Sequence, residues 1–313
     1  MTRKPRILLT GATGMVGRNF LAHPGVAEFE VIAPTRLELD LLSSEDVFAF
    51  VRQSSPDLVI HCAGRVGGIQ ANILNPVTFL TENLEIARNV ILAARSADIR
   101  RLMNMGSSCM YPRDATNPLR EEQILAGELE PTNEGYALAK IVAARLCEYI
   151  CREDPRLEYK TLIPTNLYGP FDKFDAITSH LIAAIILKIH DAKYAGAGAV
   201  EIWGDGTARR EFLYVGDLVD CMVHAVRRFA ALPSVMNVGV GEDFTIDEYY
   251  RAAAEVIGYE GRFVHDLTKP VGMERKLLST ERAERWGWRA SAGLREGISK
   301  TYQHFLIVQG GLA

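Results

Sequence analysis

A glycine-rich segment near the amino terminus restricts the possible folds of this chain more than any other feature. In "RILLTGATGMVGRNF", a short apolar run comes first, then Gly11, Gly14 and Gly17, and an amphipathic stretch follows. A strand that passes into a helix through such glycines leaves backbone N–H groups and the positive helix end open to a pyrophosphate. The segment therefore predicts a dinucleotide-binding βαβ unit. The alternative is a structural turn that binds no phosphate.

The same alternation continues through the first half of the chain. Short aliphatic and β-branched runs at 7–9, 31–33, 58–62, 102–105 and 159–163 are separated by stretches with helical periodicity. This pattern predicts an α/β fold, a doubly wound parallel sheet of Rossmann type with helices on both faces. After Gly169-Pro170 the pattern changes, which predicts a smaller C-terminal substrate-binding lobe. We expect residues 1–170 with about 208–243 to form the dinucleotide domain, and about 171–207 with 244–313 the lobe.

Composition excludes several function classes. The chain has 313 residues, of which 48% are hydrophobic, and a net charge of -4, so neither a nucleic-acid nor an anionic-membrane surface is indicated. Its apolar runs are too short for a signal peptide or a membrane span, so a cytoplasmic location is expected. Five cysteines without framework spacing predict reduced thiols, and no paired histidine spacing indicates a metal.

The residues that follow the second predicted strand indicate which dinucleotide binds. An NAD enzyme would place Asp or Glu there to bind a ribose hydroxyl, whereas "EVIAPTR" offers Ala33, Pro34, Thr35 and Arg36. A guanidinium suits a 2′-phosphate, so Arg36 predicts NADP(H). The alternative is that Arg36 is a solvated loop charge.

The segment "PTNEGYALAK" places a phenol and an ammonium one helical turn apart. Pro131-Thr132-Asn133 predicts a helix start with Asn133 as its cap. The predicted apolar face of this helix consists of Ala139, Val142, Ala143, Leu146, Tyr149 and Ile150. Tyr136 and Lys140 share a face, so the ammonium is predicted to lower the pKa of Tyr136 and make the phenol a proton donor and acceptor near neutrality. The alternative is an ordinary helix surface.

Five segments together resemble the extended short-chain dehydrogenases/reductases and, within them, the GDP-L-fucose synthases: "SSCMYP", "LEPTNEGYALAK", "PTNLYGP", "WGDGTARREFLYVGD" and "KPVGMERKLL". The resemblance runs from about residue 5 to about residue 308. It implies NADPH-dependent 3,5-epimerisation and 4-keto reduction of GDP-4-keto-6-deoxy-D-mannose to GDP-L-fucose. Alternatives are a related nucleotide 4-keto sugar (3,6-dideoxy or 6-deoxy-heptose), an NAD-retaining 4-epimerase or dehydratase, and a non-catalytic NADP-sensing protein.

The resemblance also implies catalytic roles. Ser107 would bond the sugar carbonyl oxygen, Tyr136 would give that oxygen a proton, and Lys140 would hold the nicotinamide ribose. Epimerisation needs a base and an acid on opposite faces of the sugar, and the matching residues are Cys109 and His180. Without the resemblance, these two would be a buried thiol and a first-turn histidine. Thr178 or Ser179 is expected to cap the helix after His180.

Further positions match binding residues of the same family. The cofactor set comprises Gly11, Thr13, Gly14, Met15, Val16, Gly17, Arg36, Asp40, Leu41, Ala63, Gly64, Lys140, Pro164, Asn166, Leu167 and His180. The substrate set comprises Val66, Gly67, Ser108, Cys109, Lys188, Trp203, Arg210 and Lys276, of which Trp203 alone would equally suit a core position.

Three departures from the family pattern leave the sugar open. Lys188 replaces the usual arginine, which exchanges a bidentate fork for a point charge. "PVGMERK" and "FDKFDAITSH" also differ from the common segments.

The resemblance further implies a homodimer, in which the Tyr-Lys helix and the segment "TFLTENLEIARNVILAARS" form a four-helix interface.

Overall fold

The computed structural model describes residues 3–175, 179–269 and 274–310. The strands in these ranges are β1 (Arg6–Thr10), β2 (Glu30–Ile32), β3 (Leu58–His61), β4 (Arg101–Met105), β5 (Glu158–Pro164), β6 (Asn166–Tyr168), β7 (Ala199–Trp203), β8 (Arg209–Arg210), β9 (Phe212–Tyr214), β10 (Val235–Val238), β11 (Phe244–Thr245), β12 (Arg262–Asp266) and β13 (Arg275–Lys276).

The α-helices in the same ranges are α1 (Met15–Ala22), α2 (Ser44–Ser54), α3 (Ile69–Leu74), α4 (Pro76–Ser96), α5 (Glu134–Glu153), α6 (Leu181–Tyr194), α7 (Val215–Arg227), α8 (Ile246–Ile257), α9 (Glu281–Trp286) and α10 (Leu294–Gly310). Short 3-10 helices cover Pro24–Glu28, Ser108–Met110, Glu121–Gln123, Pro131–Asn133 and Phe229–Ala231. No helix in the described ranges is both long and apolar enough to cross a membrane.

A six-stranded parallel sheet forms the centre of the fold, in the order β10-β5-β4-β3-β1-β2. Successive side chains of β1 point to opposite faces: Ile7 joins a core with Phe20 of α1 and Met222 of α7. Leu8 joins a second core with Ile91 of α4 and further side chains of α2 and α5. Because both faces are covered by helices, the predicted doubly wound sheet is confirmed.

The strand order creates a crevice between β1 and β3. The chain runs from β1 to its neighbour β2 on one side, and then returns to β3 on the other side of β1. In open α/β sheets, ligands bind at such a reversal, outside the carboxyl ends of the strands. The glycine loop after β1 and the segment after β3 lie at this edge.

The remaining strands form three small sheets, β11-β8-β13, β12-β7 and β6-β9. A third core joins α6, α8 and α10 through side chains such as Ile186, Tyr249 and Phe305. Helix α8 begins with a capping box, since Thr245 accepts from the Glu248 N–H and Glu248 accepts from the Thr245 N–H. The division into two domains stays a prediction, and β8 pairs with lobe strands although it lies within 208–243.

The apolar face predicted for α5 is partly wrong. Ala139, Ala143 and Ile150 are buried, but Val142 is 46% exposed and Tyr149 is 49% exposed. The buried arc instead includes Ala137, Ile141, Ala144 and Cys147. Helix α5 packs against both α4 and the sheet, and these two surfaces together define which side chains are covered.

Candidate active site

The glycine loop is tight and leads directly into a helix. Gly11 has φ +76°, and an added Cβ atom there would lie 2.6 Å from the Ala63 nitrogen. An added Cβ atom on Gly17 would lie 2.3 Å from the Gly11 carbonyl oxygen, whereas the Gly14 N–H donates to that oxygen at 3.1 Å. Larger residues are therefore excluded, and α1 begins immediately after Gly14. Thr13 is exposed, and Met15 and Val16 are half-buried at the first turn of α1.

The base of the crevice is uncharged. His61, the last residue of β3, is buried, and its Nδ1 lies 2.8 Å from the Thr10 hydroxyl. Burial lowers the pKa of His61 to about 3, and the positive charge of Lys140 adds to this effect. Burial likewise raises the pKa of the neighbouring Cys62 thiol to about 12, against the influence of Lys140. Both side chains are therefore neutral at pH 7.

Arg36 lies in the turn after β2. Its side chain is exposed and makes no hydrogen bond or ion pair with the described part of the chain. Asp40 is also exposed and accepts from the Leu42 N–H at 3.1 Å. Leu41 is half-buried, and its carbonyl accepts from the Asn89 amide. The Arg36 guanidinium is therefore accessible to an anionic group.

Ser107, Tyr136 and Lys140 lie together at the carboxyl end of β4. Ser107 follows β4, and its hydroxyl is hydrogen-bonded to Tyr136 in the first turn of α5. The Lys140 ammonium lies 5.7 Å from the Tyr136 ring centre and donates to the Met105 carbonyl at 2.9 Å. Strand β4 and helix α5 thus position the carbonyl-binding and proton-donating groups predicted from the sequence.

The predicted lowering of the Tyr136 pKa is wrong. Burial raises the pKa of Tyr136, a negative charge on Cys109 would raise it further, and the Ser107 hydrogen bond offsets only part. Burial lowers the pKa of Lys140 to about 8, although the Cys62 and Cys109 thiols act in the opposite direction. The Lys140 ammonium donates to the Met105 carbonyl. The cost of burying a charged phenolate therefore exceeds the attraction between that phenolate and the ammonium. Tyr136 is therefore held in the protonated form.

Cys109 lies in the 3-10 turn after Ser107. Its backbone N–H donates to the Ser107 hydroxyl at 3.3 Å, and the Asn133 amide donates to its sulfur at 3.2 Å. Asn133 does occupy the position before α5, but its side chain forms no capping hydrogen bond, so the predicted cap contact is wrong. The amide contacts the sulfur instead. Ser108 is buried.

His180 occupies the N-cap position of α6. The Ser179 hydroxyl, predicted to cap this helix, instead donates to the carbonyls of Lys173 and Asp175, and Thr178 lies outside the described residues. Burial raises the pKa of the Asp172 carboxyl, and a positive charge on His180 would lower it. Asp172 was not predicted.

The segment after β3 is held by a residue that the sequence analysis missed. Asn83, buried on α4, accepts from the Arg65 N–H at 2.8 Å and donates to the Arg65 carbonyl at 3.0 Å. An added Cβ atom on Gly64 would lie 2.9 Å from the Asn83 oxygen and 3.7 Å from the Lys140 nitrogen. Asn83 therefore holds the 63–65 backbone next to Lys140. An amide on the buried face of an amphipathic helix was the available signal.

The other residues of this segment line the same edge of the sheet. Ala63 meets the glycine loop, Val66 is exposed, and Gly67 packs against Phe79.

A buried carboxylate holds the backbone next to the predicted cofactor residues Pro164, Asn166 and Leu167. Glu211 accepts from the N–H groups of Val240, Gly241 and Leu278 at 2.6, 2.8 and 2.9 Å. Burial raises the pKa of Glu211, and these N–H groups oppose the rise. The Glu211 carbonyl accepts from the Asn166 amide at 3.2 Å. Pro164 and Leu167 lie in β5 and β6 on either side of this contact.

Lys188 and Trp203 are brought together through one residue. Lys188 on α6 donates to the Glu201 carbonyl, and the Trp203 indole donates to the Glu201 carboxylate at 3.1 Å. Burial lowers the pKa of Lys188, and Glu201 raises it. Trp203 is 55% exposed, which excludes the core alternative.

Arg210 and Lys276 are partners in the register of β8 and β13. Burial lowers the pKa of Arg210, and the negative charge of Glu130 raises it. Glu130 immediately precedes the 3-10 helix that leads into α5, so Arg210 lies near the segment that carries Tyr136. Arg210 therefore approaches the end of the site where Tyr136 lies.

A buried carboxylate that the sequence analysis missed supports these strands from the side. Asp243 accepts from the Arg209 Nε at 2.7 Å and from Arg275, which pair with each other across β8 and β13. Asp243 has an acidic side chain within a polar loop, so the sequence offered no signal for this contact.

Comparison with known proteins settles the family. The NAD dependent epimerase/dehydratase family matches residues 7–239. The chain belongs to this family. A GDP-L-colitose synthase of Yersinia pseudotuberculosis is 53% identical over 96% of this chain and 98% of its own. A GDP-L-fucose synthase of Azorhizobium caulinodans is 47% identical over 98% of both chains.

Among solved structures, a GDP-D-glycero-L-gluco-heptose synthase of Campylobacter jejuni, determined in the presence of NADPH, has a TM-score of 0.88. It is 28% identical and covers 98% of this chain and 99% of its own. The resemblance to GDP-L-fucose synthases and the prediction of an epimerase/reductase-type enzyme in the epimerase/dehydratase family are thus confirmed.

Proposed function

We propose that this protein is an NADPH-dependent enzyme that epimerises GDP-4-keto-6-deoxy-D-mannose at C3 and C5 and reduces its C4 ketone to give GDP-L-fucose. The observation that carries the proposal is the hydrogen-bonded pair of Ser107 and protonated Tyr136 beside Lys140. This group lies at the same edge of the sheet as the glycine loop. Relatives that act on GDP-linked sugars support the substrate class.

The residues around the crevice fit NADP(H). Gly11, Gly14 and Gly17 leave room for a pyrophosphate at the start of α1, and the exposed Arg36 suits a 2′-phosphate. The neutral pair His61 and Cys62 adds no charge beneath the loop. When bound, this cofactor supplies the hydride for the reduction. Lys140 would hold its ribose.

The reduction requires a proton at the ketone oxygen. Ser107 would hydrogen-bond to that oxygen, and Tyr136 would transfer its phenolic proton to it. The raised pKa of Tyr136 means that the phenol carries its proton at neutral pH. Protonated and positioned by Ser107, the phenol can act once hydride arrives.

The epimerisations require a base and an acid next to the same ketone. Cys109 would remove the proton from the carbon beside the carbonyl, and His180 would return one on the opposite face. A negative Cys109 raises the pKa of Tyr136, so the phenol keeps its proton while the thiolate is present. Burial alone already favours the protonated phenol, so Tyr136 is ready to donate its proton in both stages.

A second candidate substrate is the related 3,6-dideoxy sugar. One specific observation favours it: the relative named GDP-L-colitose synthase is 53% identical to this chain. Lys188, in place of the family's usual arginine, would also contact the substrate. A 3,6-dideoxy sugar has a CH₂ group at C3, so only C5 is a stereocentre to invert. The two candidate substrates therefore differ in the number of carbons that are inverted, which is two in one sugar and one in the other.

The experiment follows NADPH absorbance with each keto sugar, with NADH as the cofactor control, and measures solvent deuterium in the product. We expect oxidation of NADPH, a loss of about 10² to 10⁴-fold in Tyr136→Phe, and loss of deuterium at the epimerised carbons in Cys109→Ser. The faster of the two sugars identifies the substrate. Failure of all keto sugars to oxidise NADPH would refute the reductase assignment.

We also propose a homodimer formed by α4 and α5. Leu138, Val142 and Tyr149 form an exposed apolar stripe on α5, and Val77 is exposed at the start of α4. Stripes of this kind are usually covered by a partner. Sedimentation of Val142→Glu should show a monomer where the wild type is a dimer. A monomeric wild type would contradict the proposal.

A further inference from the structure

The side chain of Asn133 does not cap the helix that it precedes. Asparagine at an N-cap normally accepts from the N–H groups of the first helical turn. Here the side chain forms no such bond with α5, and its Nδ2 lies 3.2 Å from the Cys109 sulfur. The amide nitrogen thus contacts the sulfur, while the amide oxygen makes no capping contact.

The other end of the same amide is buried without a partner. Within the described ranges, the Oδ1 atoms of Asn133 and Asn72 are inaccessible to solvent and accept no hydrogen bond. Both residues line a cavity of about 170 Å³, together with Phe79, Pro131 and Tyr136. Unpaired buried oxygens are rare. Among the described residues, the Cys109 sulfur is the only polar partner of this amide.

We propose that Asn133 is a positioning residue for Cys109, whose amide N–H holds the sulfur in place and stabilises its thiolate. A thiolate is the form that removes a proton, and a hydrogen bond to an anion is stronger than one to a neutral thiol. The Cys109 backbone N–H is held in addition by the Ser107 hydroxyl, to which it donates at 3.3 Å. The inference rests on the proposed role of Cys109 as base.

In the described part of the chain, two titratable groups on α5 respond to the charge on Cys109. These are Tyr136 and Lys140, and a negative charge on Cys109 raises the pKa of each. Lys140 loses its own charge as pH rises through about 8, whereas an amide keeps its donor at every pH. Asn133 would therefore support the thiolate on both sides of the pH at which Lys140 loses its charge.

The test measures alkylation of Cys109 by iodoacetamide across pH, without sugar or cofactor, with the modified peptide quantified by mass spectrometry. Burial raises the pKa values of Cys62, Cys147, Cys151 and Cys221, so these thiols react at higher pH. In Asn133→Ala we expect the midpoint of the Cys109 profile to rise by about one to two pH units, and the rate at pH 7 to fall about tenfold or more.

Asn133→Asp separates this role from helix capping. A carboxylate has nearly the same shape and is a good cap, so a merely structural role predicts that the Asp variant behaves better than the Ala variant. A role as donor to sulfur predicts the opposite order, because the carboxylate donates nothing and repels the thiolate. Thr132→Val is the matched control, since Thr132 lines the same cavity but bonds Glu130.

The results distinguish a role of Asn133 as donor to sulfur from a merely structural role. A midpoint that rises in the order wild type, Ala, Asp supports the proposal, and unchanged midpoints in both variants would overturn it. If one variant fails to fold by circular dichroism, the other supplies the comparison. Solvent deuterium uptake into the sugar should also fall about tenfold or more, with NADPH affinity unchanged. Since alkylation needs no sugar, failure of the proposed function would leave this result interpretable.

Discussion

The two ends of the candidate site differ in which form of their ionisable side chains is favoured: the neutral form at one end and the charged form at the other. At the reaction end, defined by His61, Tyr136 and Lys140, burial is the largest influence on every pKa. It lowers the pKa of His61 to about 3 and that of Lys140 to about 8, and it raises that of Tyr136. Each shift favours the neutral form.

The anchor end consists of Arg209, Asp243 and Arg275, which support the strands that carry Arg210 and Lys276. Asp243 is buried, and burial would raise its pKa, yet hydrogen bonds from Arg275 and Arg209 lower it overall. The hydrogen bond that Arg209 donates to Asp243 raises the pKa of Arg209. Charges at this end are fixed in their ionised forms.

Burial is common to both ends, and the difference lies in the partners. At the reaction end, the Lys140 ammonium donates to a backbone carbonyl, and His61 is hydrogen-bonded to a hydroxyl. These partners are neutral, so they do not offset the cost of burying a charged side chain. At the anchor end each charge has an opposite one. Neutral groups can exchange protons with a substrate, whereas fixed charges suit recognition of a diphosphate. Under the proposed function, this difference would separate chemistry from binding.

The largest expected effect tests the reaction end through His61. Below pH 6.5 the unfolded chain binds a proton at this histidine that the folded protein does not bind until about pH 3. Stability from this residue is therefore complete above pH 6.5 and is lost as pH falls. Relative to His61→Asn, we expect the wild-type free energy of unfolding to fall by about 1.4 kcal/mol per pH unit, and by on the order of 5 kcal/mol in total.

Urea denaturation between pH 7 and pH 4 measures this slope. Thr10→Val serves as the control, because it removes the hydrogen bond to His61 but keeps the burial. If burial is the cause, Thr10→Val should retain the wild-type slope. Equal slopes for wild type and His61→Asn would show that the histidine is protonated in the folded protein, and the contrast between the two ends would fail.

The central sheet was predictable because its physics is local. All four residues of β3, Leu58–His61, are buried, and strands covered on both faces appear in a sequence as continuous apolar runs. The helical spacing of Tyr136 and Lys140 was equally readable. Helix α5 shows the limit, because Val142 is exposed where an apolar face was predicted, and this depends on how α5 packs against α4.

The electrostatics were not predictable from spacing. The sequence gives the separation of Tyr136 and Lys140 along the helix, but not that the ammonium reaches the Met105 carbonyl or that the phenol is desolvated. Strands β8, β11 and β13 have two residues each, too few for any periodicity. The contacts of Asp243 join residues more than 30 positions apart, and only the folded chain defines them.

The smaller expected effect tests the anchor end. Asp243→Asn keeps the shape of the side chain but leaves Arg209 and Arg275 facing each other without a counter-charge. Both arginines are more than one-third exposed, so solvent screening limits the cost to about 1 to 2 kcal/mol of unfolding free energy at pH 7.

Because the Asp243 pKa is lowered, this difference should be complete above pH 3.8 and vanish as pH falls through the folded-state pKa. In the enzyme assay, KM for the GDP-sugar should rise about tenfold with kcat nearly unchanged, since the loss affects Arg210 and Lys276 and not Tyr136. Glu281→Gln, which removes exposed ion pairs with Arg120 and Arg285, is the matched control and should change neither quantity appreciably. A fall in kcat with KM unchanged would mean that Asp243 acts on the chemistry, and that the two ends are not separate.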